Sequence, residues 1–164
     1  MSSAQIDNVC EAVVAKILTD YADDPTFPLS ADLVSFDYAP TISLNPENEE
    51  CLRGMRVFVC ANPDGAYGQV GVASRQADIN EYTVQIVIYD IYTAEGRIPR
   101  DWIKARVDFV SRMYFNLGAV REYTILAEKL WPDSSTKAIV VDHELLVEHK
   151  VFRSEFTVSY REIA

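Results

Sequence analysis

Apolar residues recur at two different periods along this chain, and the switches between periods mark its elements. Ile6, Val9, Cys10, Val13, Val14, Ile17, Leu18 and Tyr21 fall on one face of a 3.6-residue repeat, which predicts an amphipathic first helix. Ser2 and Gln5 offer a capping box, Asp7 and Glu11 suit the positive end of the helix, and Asp24-Pro25 with Pro28 stops it. A second helix is predicted from Pro99, a residue favoured at the first helical position. Its stripe is Ile103, Val107, Val110, Tyr114 and Leu117, widened by Trp102, Phe109 and Met113, with Gly118 as C-cap.

The other segments alternate with a period of two. Leu33–Tyr38 and Thr41–Leu44 read as short strands on either side of Pro40, which keeps them at an edge or bend. In Met55–Cys60, residues Met55, Val57 and Val59 point one way and Arg56 and Phe58 the other. Tyr82–Tyr92 is the predicted central strand, with Tyr82, Val84, Ile86 and Ile88 on one face and Val87, Tyr89 and Ile91 on the other. A strand apolar on both faces is covered on both. Two helices cover one face, which leaves the second for a neighbouring subunit or for a loop folding over it. From Ile139 to Ile163 the pattern predicts two β segments. In the last of these Phe156, Val158 and Tyr160 face one way, while Glu155, Thr157, Ser159 and Arg161 face the other.

Between these elements lie a polar loop at Asn45–Glu50, an exposed loop over residues 61–80 and an ambiguous stretch over 119–131. Trp131-Pro132-Asp133 reads as the terminator of that stretch. The 61–80 loop has turn chemistry in Pro63-Asp64-Gly65 yet carries Tyr67, Val70 and Val72, which solvent alone does not reward. Arg75 near its end can form a bidentate contact with a carboxylate. The loop is expected to project and to be ordered by an adjoining subunit or tube protein. Together the elements predict one α+β domain over residues 1–164, with a mixed or mainly antiparallel sheet and two principal helices on one face.

Charge narrows the function classes. With 25 acidic against 15 basic residues the net charge is −10, and the basic group Arg97, Arg100, Lys104 and Arg106 is interleaved with Glu95, Asp101 and Asp108. A free-standing nucleic-acid binder needs an unbroken basic stripe. No apolar run is long enough to span a membrane, and no signal peptide is visible. The three cysteines, Cys10, Cys51 and Cys60, form no C-x-x-C pair, which fits thiols in a reducing cytosol.

Catalytic patterns are missing. Gly65, Gly68 and Gly71 match neither a dinucleotide fingerprint nor a phosphate loop, and no G-x-S-x-G elbow occurs. His143 and His149 share a strand face but would stand about 20 Å apart, too far for one metal ion. Each is expected to be a partly buried, hydrogen-bonded histidine. No catalytic, cofactor-binding or metal-binding residues and no cofactor are predicted.

The order helix, strands, loop, strand, helix and closing β pair comes with three local cues. Arg56-Val57-Phe58-Val59 precedes a loop, Ser74-Arg75 precedes the long strand, and Phe152-Arg153-Ser154-Glu155-Phe156-Thr157-Val158-Ser159-Tyr160 closes the chain. In these the chain resembles the tail-terminator (tail-completion) proteins of long-tailed bacteriophages. That resemblance implies a non-enzymatic virion protein assembled in the host cytoplasm and placed at the tail–neck junction. Six copies would form a homohexameric ring that caps the tail tube protein, stops its growth and joins a neck or stopper protein. DNA would pass through the channel without specific binding, and an acidic lining suits such passage. The residues expected to meet neighbours are Tyr67, Val70, Val72, Arg75, Val87, Tyr89 and Ile91. A neck stopper or head–tail adaptor is the alternative within this class, although adaptors are expected to be mainly helical. A small enzyme or ligand-binding domain using His143 or His149 is the alternative outside it.

Overall fold

The computed structural model of the chain describes residues 3–37, 54–61, 72–74, 77–119, 131–133 and 139–163. Helix α1 runs Ser3–Tyr21 and buries the predicted stripe, with Val9, Cys10, Val13 and Ile17 fully enclosed. The chain then turns sharply. Asp24 accepts hydrogen bonds from the backbone N–H groups of Thr26 and Phe27, and Leu29 N–H donates to the Tyr21 carbonyl. This local side-chain bonding competes with a further helical turn and ends α1.

The strands are β1 (Val34–Asp37), β2 (Arg56–Ala61), β3 (Val72–Ser74), β4 (Ala77–Ile91), β5 (Trp131–Asp133), β6 (Val140–Val141) and β7 (Val151–Ile163). Five of them lie in the order β1-β2-β4-β7-β5, with β3 added to β4 and β6 to β7. β1 and β2 are parallel and every other described pairing is antiparallel, so the sheet is mixed. Its backbone is the β4–β7 pair, in register from Ile79 opposite Ile163 to Ile91 opposite Val151. A 15-residue strand extends for roughly 50 Å, well beyond the usual strand of five or six residues.

Helix α2 spans Arg100–Tyr114 behind Pro99, which serves as its N-cap. Phe109, Val110 and Met113 are buried against the same sheet face as α1. There they meet Val57 and Val59 of β2, Tyr82, Val84, Ile86 and Ile88 of β4, and Phe156, Val158 and Tyr160 of β7. Edge-to-face rings tie the layers together, with Phe109 against Tyr21 and Phe27, and Tyr114 against Phe156. The protein is thus an α+β fold with α1 and α2 on one face of a mixed sheet.

The structure departs from the sequence reading at four places. Gly118 is not a C-cap: α2 passes directly into a π-helical turn, Phe115–Ala119, that includes it. That turn is held by Asn116, which donates to the Tyr21 hydroxyl, and by the Leu117 carbonyl, which accepts from Tyr160 Oη. Trp131-Pro132-Asp133 is an edge strand on β7, a position where proline costs no ladder bond. The expected loop over 61–80 is partly sheet, since Ala61 closes β2, Val72–Ser74 is β3 and β4 begins at Ala77. Finally, the region 139–150 is not simply β, because a third helix, α3 (His143–His149), separates β6 from β7. Asp142 caps α3 by accepting from Leu145 N–H, and Lys150 ends it in the left-handed conformation at φ 54°. Thr41–Leu44 and residues 120–130 lie outside the described residues.

Candidate functional site

Opposite the helices, the sheet presents a different surface. Cross-strand register places Arg56, Tyr89 and Arg153 in one row, Phe58, Val87 and Glu155 in the next, and Cys60, Gln85 and Thr157 in a third. Thr83 and Ser159 form a fourth. At one end of this face Phe58, Cys60, Val87, Tyr89 and Val151 form a second buried cluster, against which Ile91 and Leu145 of α3 pack. Toward the other end the side chains turn polar and half-buried: Thr83, Gln85, Glu155, Thr157 and Ser159.

These polar groups bond to one another across the strands. Gln85 Nε2 donates to Glu155 Oε2 at 2.8 Å, and Arg153 donates to the same oxygen at 3.0 Å and to the Tyr89 hydroxyl at 3.0 Å. Thr83 and Ser159 hydroxyls meet at 3.1 Å. Burial works against the charge on Arg153, but the Tyr89 and Glu155 contacts outweigh it and raise its pKa. Arg56 is different. Its guanidinium lies 5.5 Å from the Phe58 ring centroid, and its buried Nε has no hydrogen-bond partner among the described residues.

Of the residues expected to meet neighbours, Val87 and Tyr89 are buried within the chain's own second cluster, at 0% and 8% exposure, so they offer no open apolar face. The physical reason is local: Phe58 and Cys60 from β2 and Val151 from β7 flank them in the sheet, and Leu145 of α3 packs against the same cluster. Ile91 is half-buried beside that cluster. Val72 lies in β3 opposite Ile79 of β4. Tyr67, Val70 and Arg75 lie outside the described residues. The face does bring together Arg56, Arg153, Glu155 and Gln85, which were not singled out as site residues. Their signal was the polar alternation Glu155, Thr157, Ser159 in the closing strand and the outward phase of Arg56.

Elsewhere the polar groups serve the fold. Arg106 Nε donates to Asp90 Oδ2 at 2.7 Å, and its guanidinium sits 3.6 Å from the Trp102 ring centroid. Burial raises the Asp90 pKa, with Arg106 and the Ile91 N–H partly offsetting it. A cleft of about 360 Å³ beside this pair is lined by Gly54, Ile91, Tyr92, Thr93, Ala94 and Trp102, with neither histidine nor cysteine among them. His143 and His149 are exposed on α3 rather than partly buried, about 9 Å apart along the helix axis. Burial, then nearby Asp7, pushes the Cys10 thiol up to about 12, and burial, then Asp37, does the same to Cys60. Both stay protonated at neutral pH and are poor nucleophiles. Among the described residues no group of three or more His, Cys, Asp or Glu stands close enough to hold a metal ion. No described helix is long and apolar enough to cross a membrane.

Compared with known proteins, the chain matches no family model and no curated protein sequence.

Proposed function

We propose that this chain is a structural subunit of a phage virion, a tail terminator that closes into a ring on the end of the tail tube and joins it to the neck. The observation that carries this reading is the two-faced sheet. One face is sealed by α1 and α2, while the other holds an ordered, half-buried polar ladder along the long β4–β7 pair. A face built this way resists collapse onto solvent yet keeps hydrogen-bonding groups at the surface, which suits a contact between subunits. The α+β architecture with both long helices on one side is also what the resemblance to tail terminators implies. The net charge of −10 fits a ring through which DNA slides without sticking.

In this role the chain needs no reacting group. Its work is to present one surface to the next copy in the ring and another to the tube and neck proteins. A head-to-tail contact between identical chains closes into a ring when the rotation allows. The test is a tube assembly assay read by electron microscopy. Tail tube protein polymerised with this chain should give tubes of limited length bearing a ring at one end. Tubes that grow equally long with and without the chain, and carry no ring, would reject the reading.

A further inference from the structure

We infer that a pocket between α3 and the entry to α2 binds an aliphatic carboxylate, a small-molecule site independent of the ring reading above. The pocket measures about 300 Å³, is lined by Ile98, Ile103, Leu146 and Val147, and is flanked by Arg97 and Lys150. Small-molecule sites begin at about this size and are mostly apolar, with a few placed polar groups. The fold fixes the apolar wall. Leu146 belongs to the main core at 7% exposure, and Ile98 and Ile103 pack against that core. Val147 stands at 78% exposure, so the pocket keeps apolar surface in water that a bound chain would cover.

The charged groups of the lining are both cationic. Lys150 Nζ donates to the Gly96 carbonyl at 2.9 Å, which holds the ammonium at the pocket and leaves two of its three N–H groups for a ligand. Arg97 is exposed, and neither cation pairs with an acid among the described residues. The Arg97 fork can give two parallel hydrogen bonds to one carboxylate. Glu95, Asp101, Glu144 and Glu148 are the acids close by in sequence, but all are exposed and none lines the pocket. With the net charge of −10 they favour a singly charged head over a doubly charged phosphate. In the cleft beside Trp102, by contrast, Asp90 and Arg106 neutralise each other, and no anion is selected.

Methyl NMR of the full chain tests the inference, with hexanoate, octanoate, octanol and octylammonium as probes. Octanoate should shift the methyl signals of Ile98, Ile103, Leu146 and Val147 in a saturable way. Lengthening hexanoate to octanoate should tighten binding about fourfold for each methylene added. Octanol and octylammonium keep the chain without the anion and should bind roughly tenfold more weakly. Arg97→Glu should weaken octanoate binding by about tenfold or more. Its melting temperature should stay that of wild type, because Arg97 is exposed. Val147→Ser should weaken all four probes alike. Selective loss of the anion in Arg97→Glu is what adherence to an apolar patch would not produce. Octylammonium binding as tightly as octanoate overturns the inference, as do unchanged octanoate binding in Arg97→Glu and no saturable octanoate binding at all. Tighter binding of acetyl-Ala-Ala-Leu acid than of octanoate would assign the pocket to a peptide and overturn the small-molecule site.

Discussion

On the side covered by α1 and α2, Tyr82, Val84, Ile86 and Ile88 of β4 and Phe156, Val158 and Tyr160 of β7 are all buried. On the opposite side the same strands place Thr83, Gln85, Glu155, Thr157 and Ser159, all half-buried, with Thr83 bonded to Ser159 and Gln85 to Glu155. Burying a large apolar side chain contributes about 1.5–3 kcal/mol, whereas a cross-strand polar pair contributes about 0.2–1 kcal/mol. The helix side therefore sets most of the stability of the fold, and the polar ladder on the opposite side can be changed at little cost to it. The boundary between the two regimes lies within one face. Phe58, Val87 and Val151 are packed at one end of the open side, and the polar ladder occupies the other.

The contrast can be broken most readily from the helix side. Phe109→Ala removes a ring wedged against Tyr21 and Phe27 and should cost about 3–5 kcal/mol in urea denaturation. A cost near that of an exposed-site substitution would mean that the helix layer is loosely held. Next in size is Asp90→Ala, which leaves Arg106 without its anion at 14% side-chain exposure. Breaking such a pair should cost about 3 kcal/mol by the same measurement.

A smaller effect, with a distinct pH signature, comes from Asp24. Burial alone would raise its pKa, but Arg112 and the N–H groups of Phe27 and Thr26 outweigh burial and hold it below the usual carboxylate value. A lowered folded pKa stabilises above the unfolded value of about 3.9 and loses that contribution as pH falls through the folded value. Asp24→Ala should thus cost about 1 kcal/mol at pH 7, the size of a lost helix-cap type bond. The difference from wild type should shrink in urea midpoints measured toward pH 3. Asp90, with a raised pKa, acts in the opposite direction: its penalty is present at neutral pH and relieved as pH falls. The smallest effect belongs to the open side, where Thr83→Ala removes the bond to Ser159 and one half-buried methyl and should cost about 0.5 kcal/mol. If Thr83→Ala cost as much as Phe109→Ala, the division of labour between the faces would fail.

How much of this was legible in the sequence depends on the element. α1, α2 and β4 are long enough for their periods to be unmistakable, and each formed close to where its apolar stripe lay. α3 was hidden because His143, Leu145, Val147 and His149 alternate like a strand. The structure places Val147 at 78% exposure and instead buries the adjacent Leu146. The Asp142 cap and the left-handed Lys150 decide the helix, and seven residues carry too few turns for periodicity to show it. The site was less legible. Apolar residues on both faces of β4 showed that both are covered, but only cross-strand register reveals that Phe58, Cys60 and Val151 flank Val87 and Tyr89. That Arg56 Nε has no hydrogen-bond partner among the described residues likewise depends on neighbours distant in sequence.

The claim that the open side of the sheet is the assembly surface is tested most directly by arginine-selective chemical modification, read by mass spectrometry on the isolated subunit and on assembled tails. The account predicts that Arg56 and Arg153 lose reactivity on assembly, while Arg97 and Arg100, exposed before and at the start of α2, keep theirs. Equal reactivity of Arg56 and Arg153 in both states, with Arg97 and Arg100 protected instead, would contradict it.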